Sequence, residues 1–376
     1  MNYQEAERYV LARELFGMRF GLDRMRRLMT VLGHPERRFD SIHVVGTNGK
    51  SSTTRMIAGI LARHGRHTGT YLSPHLVWFG ERIRVAEADL RPSEFAAAIT
   101  RAARAAELVD RSLGQGDQVT QFELLTAAAY AEMAAGGVEV AVIEAGLGGR
   151  YDATNVIPSR VQVLTGVGLE HTRWLGPTIA DIAGEKLDVV QPGATLVLGA
   201  GLRPEAEAVA ERVAGERGAR IVRAPADPGL KVGAAGGFQR RNFALARAAA
   251  EAYLGRLDAA AVAAAAAAVR VPGRLAQIGA DPVTLVDSAH NPDGMAALVA
   301  SLPELLGPRA GRLVAVVSIL DDKDAAGMLA ALLPACRALV LTSSQNPRAL
   351  PPPTLQSLTR QLGGPAAEIV AQPAAA

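Results

Sequence analysis

The chain has 376 residues, 49% of them hydrophobic and 20% charged, with 40 basic residues against 37 acidic ones. That composition supplies the cores of two or three domains and excludes a disordered or tail-like protein. A net charge of +3, with no dense Lys/Arg run interleaved with aromatics, argues against nucleic acid as a partner.

Cys336 is the only cysteine, which rules out an internal disulfide or a cysteine zinc site. Met1–Phe20 mixes acids and arginines and has no apolar segment of the signal-peptide kind. No long apolar run free of charge is present, so no membrane helix is expected. A cytoplasmic protein fits these features. Lysine occurs only at positions 50, 186, 231 and 323; arginine carries the remaining positive charge. In such a chain, a lysine can mark a place that needs a compact ammonium or a modifiable amine.

In chain order, residues 3–33 read as two short helices ending at Gly33. Ser41–Val45 is a β-branched run that predicts a buried strand, and residues 53–64 predict a helix. Gly69–Leu72 reads as a strand, residues 73–84 as a loop, and 93–110 and 120–136 as helices. Val138–Glu144 and Val161–Val167 read as strands, Thr178–Val190 as a helix and Thr195–Leu198 as a strand. Residues 224–237 read as a loop and 239–269 as Ala-rich helix, broken by Pro272–Gly273. A second βα series follows, with strands at Val283–Val286, Leu313–Ser318 and Ala338–Thr342 and a frayed end from about Gln372. Strands alternating with helices predict an α/β fold with a mainly parallel, doubly wound sheet. No internal repeat is evident.

Gly46-Thr47-Asn48-Gly49-Lys50-Ser51-Ser52 lies between the first predicted strand and its helix. Glycines let backbone N–H groups turn toward phosphate oxygens, and the helix presents its positive end. Lys50 would neutralise the β- and γ-phosphates, and Ser51 or Ser52 would reach phosphate or Mg²⁺. Glu144 ends an apolar strand, at the crevice edge of an α/β sheet; alone it reads equally as a surface acid. His171 alone would read as structural, Lys186 as a surface lysine paired with Glu185, and Asp287–Pro292 as a polar turn.

Several segments together resemble the dihydrofolate synthase/folylpolyglutamate synthase family, a branch of the Mur ligase superfamily. They are His43–Ser52, Tyr71–Ile83, Gln121–Thr126, Val142–Asn155, Glu170–Lys186, Gly237–Asn242, Leu285–Gly294 and Ile319–Asp324. The loop is shared with other Mur ligases; the S-P-H-L…E-R-I and G-L-G-G-R-x-D-A-T-N segments are specific to the folate branch. The resemblance implies an ATP-dependent, Mg²⁺-requiring ligase that joins L-glutamate to dihydropteroate, reduced folates or both. It divides the chain into a P-loop mononucleotide-binding domain, 1–272, and a smaller Rossmann-like α/β glutamate-ligase domain, 273–376. It places Ser73, Glu144 and His171 around Mg²⁺ and makes Lys186 a carbamylated, anionic metal neighbour. It sets Gln239 and Asn242 near the adenine or ribose, Arg274 on phosphates, Asp287 on ribose hydroxyls, and His290 and Asn291 beside the nucleotide. Asp321–Asp324, with Lys323, is expected near the incoming glutamate. A monomer is the family expectation.

The chain departs from the family pattern in three places. Ser51 stands where the family usually has Gly, Glu170 where it usually has Asp, and the segment 199–237 is short. Two rival readings are a Mur-type ligase acting on a peptidoglycan precursor and a non-catalytic P-loop nucleotide-binding protein.

Overall fold

The computed structural model describes residues 1–13 and 21–373, and the chain forms two compact units. The first comprises Met1–Gly233 and Arg240–Arg270; the second comprises Ala234–Gln239 and Val271–Ala376. The reading of two helices over 3–33 is met by α1 (Tyr3–Leu11) and α2 (Asp23–Val31), although residues 14–20 lie outside the described residues. So do the last three positions of the frayed end.

The first unit is built on an eight-stranded sheet. Its strands are β1 (Asp40–Val45), β2 (Thr68–Tyr71), β3 (Ile83–Val85), β4 (Ala88–Asp89), β5 (Val140–Glu144), β6 (Val161–Leu164), β7 (Thr195–Leu198) and β8 (Arg220–Arg223). Their order across the sheet is β4-β3-β2-β5-β1-β6-β7-β8. Every pairing from β2 to β8 is parallel, while β3 and β4 turn back antiparallel at one edge. The helices of this unit that follow α2 are α3 (Lys50–Arg63), α4 (Pro92–Asp110), α5 (Gln121–Ala135), α6 (Thr172–Leu175), α7 (Ile179–Leu187) and α8 (Pro204–Arg217). One apolar cluster packs α1, α2, α4 and α5 on Tyr71 and Ile143; another packs α7 and α8 on Leu164, Leu196 and Leu198. By register, both clusters lie on one face of the sheet. Ile42, Val44, Val140 and Val142, on the other face, are also fully buried, so β1 and β5 are covered on both sides, as central parallel strands must be.

Three local readings change. The loop expected over 73–84 contains a turn of 3-10 helix at Phe79–Arg82 and the start of β3, which pairs with β2 and the two-residue β4. The segment after Gly199 carries α8 and β8, which add an eighth strand at the sheet's far edge. The single helix expected over 239–269 is two, α9 (Gly237–Leu254) and α10 (Ala259–Ala268). Gly255 at φ +81° and the Asp258 cap, which accepts from Ala261 N–H at 2.8 Å, set the break.

In the second unit, β9 (Ala276–Ala280) and β10 (Val283–Val286) form an antiparallel pair. A separate parallel sheet is ordered β11 (Leu313–Val317), β12 (Cys336–Leu341), β13 (Ala367–Ile369). Its helices are α11 (Pro292–Leu306), α12 (Ala325–Leu332) and α13 (Pro352–Gln361). Val283–Val286 thus pairs with a neighbour that the sequence reading passed over.

Candidate active site

Parallel order places β2, β5, β1 and β6 side by side, so the segments leaving their C-terminal ends share one edge of the sheet. This is the crevice edge of α/β proteins. Ser73 follows β2, Glu144 ends β5, Gly46 leaves β1, and Thr165–Gly168 leaves β6.

The loop from Gly46 is held from the β6 side. Thr165 Oγ1 donates to Asn48 O at 2.6 Å, Gly168 N–H donates to Thr47 Oγ1 at 3.0 Å, and Thr47 N–H donates to Gly166 O at 2.8 Å. Gly46 stands at φ +148°, and a Cβ there would fall 1.9 Å from Thr165 Oγ1. Gly49, at φ +86°, opens α3, and a Cβ on it would fall 2.6 Å from Asn242 Oδ1 on α9. Neither position tolerates a side chain, by conformation or by space.

Lys50 Nζ donates to Gly46 O at 3.0 Å and to Thr47 O at 3.2 Å. Lys186, on the last turn of α7 and 4% exposed, donates from Nζ to the same Gly46 O at 3.0 Å. Two ammonium groups thus meet at one carbonyl oxygen. Burial first, and then the charge of Lys50, pull the Lys186 pKa down to about 7, against the opposing pull of Glu170 and Asp152.

Glu144 is 1% exposed. Its Oε1 accepts from Ser51 Oγ–H at 2.8 Å and its Oε2 from Ser73 N–H at 3.1 Å. The serine that replaces the family's usual glycine therefore touches the carboxylate directly. Ser52 is buried in the first turn of α3. His171 opens α6 in the left-handed region at φ +53°; its exposed ring has Nε2 3.8 Å from Glu170 Oε1. Among the described residues, no three His, Cys, Asp or Glu side chains group as a metal site. The hard oxygens around Glu144 do suit Mg²⁺, which keeps waters and takes one or two carboxylates together with substrate phosphate.

Within the second unit, Arg274 precedes β9, while Asp287, His290 and Asn291 follow β10, and the antiparallel β9–β10 pair brings the two segments together. Asp287 accepts from Leu275 N–H and from Ala289 N–H, each at 2.7 Å. Burial pushes its pKa up, and the Leu275 N–H and Arg274 pull it back. Arg274 Nη1 donates to Ser288 O at 3.0 Å, and His290 Nδ1 lies 3.0 Å from the same oxygen. Asn291 caps α11 by accepting from Gly294 N–H at 2.8 Å. Gln239 is fully buried at the start of α9. In the 321–324 turn, Asp324 caps α12 through Gly327 N–H at 2.8 Å and Asp322 pairs with Arg348 at 3.2 Å.

The sequence reading passed over Thr165, although a threonine directly after an apolar strand and before two glycines was a signal for a loop clamp. It also passed over a buried chain running from β1. His43 Nε2 lies 2.8 Å from Thr154 Oγ1, Thr154 Oγ1 donates to Asp152, and Asp152 accepts Leu147 N–H at 2.7 Å. That chain fixes the loop that follows Glu144.

A glycine-turned loop at the mouth of a parallel sheet, with its lysine and a buried carboxylate beside it, defines a P-loop nucleotide-binding α/β protein. Residues 273–376 match the model of the Mur ligase glutamate ligase domain. The dihydrofolate synthase/folylpolyglutamate synthase of Mycobacterium tuberculosis is 37% identical over 368 residues, 88% of this chain and 75% of that protein. The M. tuberculosis folylpolyglutamate synthase complexed with ADP superposes with a TM-score of 0.91 at 33% identity, covering 98% of this chain and 88% of the other. An FPGS–AMPPCP–folate complex superposes with a TM-score of 0.86 at 31% identity, covering 99% and 97%. The chain belongs to the dihydrofolate synthase/folylpolyglutamate synthase family.

Proposed function

We propose that this chain uses ATP to join L-glutamate to the carboxylate of dihydropteroate, of a reduced folate or of both. The observation that carries the reading is the meeting of Lys50 and Lys186 at Gly46 O, on the same sheet edge as the Ser51–Glu144–Ser73 contact. Relatives of this chain carry the name of that reaction and are known bound to ADP, to AMPPCP and to folate.

A carboxylate is a poor acyl donor until it becomes an acyl phosphate. The acceptor carboxylate oxygen attacks the γ-phosphorus, ADP leaves, the glutamate amine attacks the acyl carbon, and inorganic phosphate departs. Backbone N–H groups of Gly46–Ser52 cradle the phosphates, and Lys50 stabilises charge on the transferring phosphoryl group. Glu144, with the Ser51 and Ser73 hydroxyls and with His171, would hold Mg²⁺, which neutralises phosphate charge when bound. Lys186 would act as a carbamate: its neutral amine adds to CO₂, loses a proton and leaves an anionic oxygen beside the metal. In the nucleotide clamp, Asn242 and Gln239 face the adenine or ribose, Arg274 the phosphates and Asp287 the ribose, with His290 and Asn291 beside them. The large P-loop part, 1–272, serves ATP, and the glutamate-ligase part, 273–376, completes the reaction, in a cytoplasmic monomer.

The test is phosphate release by the purified protein with ATP, Mg²⁺, dihydropteroate and glutamate. Release should require all four, and a glutamylated product should accumulate in step. Release that is indifferent to the pterin substrate would defeat this reading.

A further inference from the structure

Arg55 lies on α3, one turn beyond Ser51, so the two side chains share a helix face. Ser51 on that face touches Glu144. Arg55 is largely enclosed, yet among the described residues it makes no hydrogen bond or ion pair. The carboxylates whose charge reaches it are Asp89, Glu81 and Glu144, and each is engaged elsewhere. Asp89 pairs with Arg84 at 2.7 Å. Glu81 accepts the N–H groups of Leu76, Val77 and Trp78 at 2.9, 2.8 and 2.9 Å. Glu144 accepts from Ser51 and Ser73. Burial first, and then the cation of Arg84, push the Arg55 pKa down.

A second guanidinium that feels the charge of Glu144 is hydrogen-bonded, in part to Tyr71, but likewise lacks a carboxylate partner among the described residues. Arg82 donates from Nε to His75 Nδ1 at 3.0 Å and lies over the Phe79 ring at 5.4 Å, with no carboxylate in ion-pair contact among the described residues. A guanidinium withdrawn from water without a counter-charge is costly. Its planar fork of donors matches a carboxylate. Leu76 and Val77, on the loop between Ser73 and Arg82, are exposed apolar side chains, at 52% and 85%.

We propose that Arg55, with Arg82 beside Glu144, is the receptor for a carboxylate of the pteroyl acceptor. The proposal rests on the ligase reading and names the group that holds the substrate to be activated. An acceptor with one carboxylate presents the reacting group there; one already carrying glutamate could instead present its spectator carboxylate. Phosphate is disfavoured, because Lys50 and the loop N–H groups already serve it one turn earlier.

The experiment compares wild type, Arg55→Met and Arg55→Lys. Dihydropteroate and tetrahydrofolate serve as acceptors in steady-state assays. Calorimetric binding of pteroate in the presence of AMPPCP is read alongside. Arg55→Met should raise the acceptor KM and the pteroate Kd at least tenfold and change the KM for ATP less than twofold. Arg55→Lys, which keeps the charge and loses the fork, should fall between. Loss with both acceptors assigns the reacting carboxylate to Arg55; loss with tetrahydrofolate alone assigns the spectator one. Unchanged acceptor KM and pteroate Kd, or an effect confined to ATP, overturns the proposal. Thermal unfolding and AMPPCP affinity near wild type show that Arg55→Met is folded. Wild type that binds pteroate through Arg55 but makes no glutamylated product would defeat the ligase reading and leave the carboxylate receptor standing. Wild type that binds no pteroate defeats both.

Discussion

The two polar clusters of this molecule are built in opposite ways. In the first unit, the groups around Gly46 come from the ends of β1, β2, β5 and β6 and from α7, and Lys50 and Lys186 meet at Gly46 O. In the second unit, Arg274, Asp287, His290 and Asn291 flank a single antiparallel strand pair, β9–β10, and Asp287 is satisfied by the backbone N–H groups of Leu275 and Ala289 at its base. The first cluster is assembled by topology and concentrates like charge, while the second is local and neutralises its charge internally. The like charge of the first kind is relieved by a bound polyanion; the second kind is stable as it stands. Mutations in the first should therefore remove activity and spare the fold, and mutations in the second should touch both.

The largest effect is expected at Lys50. Lys50→Ala removes the loop ammonium proposed to act on the transferring phosphoryl group and should lower turnover by about 10²–10³, with unchanged thermal unfolding. Near wild-type turnover would remove the loop from the mechanism. Lys186 comes next. With its pKa lowered to about 7 by burial and by Lys50, the neutral amine fraction rises as pH increases through that value, and only that form adds CO₂. Lys186→Ala should lose most activity, with partial rescue by acetate. Bicarbonate depletion should lower wild-type activity reversibly, more at pH 6 than at pH 8. A fully active Lys186→Arg would refute the carbamate, since a guanidinium can be neither carbamylated nor a metal ligand.

This division also explains what was legible in the sequence. The apolar runs Ser41–Val45 and Val138–Glu144 and the glycine loop announce a parallel sheet with a phosphate site, because period and turn chemistry are local. The contact of Ser51 with Glu144 and the sharing of Gly46 O by two lysines were not legible in the residues alone, since they depend on β5 and β1 being neighbours. Helix α8 was missed because its Glu/Ala/Arg pattern carries little apolar contrast. Strand β9 was missed because Ala276–Ala280 has a glycine and little buried surface. Arg55 escaped notice because an arginine inside a helix looks like any surface arginine until its surroundings are known.

In the local cluster, Asp287→Asn replaces one acceptor by an amide that faces a backbone N–H. The cost should be about 1–3 kcal/mol of stability, read by urea unfolding, together with a few-fold rise in the KM for ATP. Lost stability with an unchanged KM would restrict Asp287 to holding its turn.

The smallest expected effect lies behind the first cluster, at His43, and it is one of pH. His43 is fully buried in β1, and burial lowers its pKa to about 3. Thr154 Oγ1 gives its proton to Asp152, so the ring must donate to it from Nε2, which is the neutral tautomer. In the unfolded chain the ring titrates near 6.5. Above that value neither state binds the proton and His43 has no effect on stability. Below it the unfolded chain takes up a proton that the native protein refuses, so stability falls as pH drops from about 6.5 toward about 3. The slope approaches about 1.4 kcal/mol per pH unit. His43→Gln cannot titrate and keeps an amide donor to Thr154. Between pH 7 and pH 5 it should lose about 2 kcal/mol less stability than wild type in urea unfolding. Equal losses in the two proteins would mean that His43 takes up its proton in the native state, and the Nε2-donor chain to Asp152 would then need another source of order.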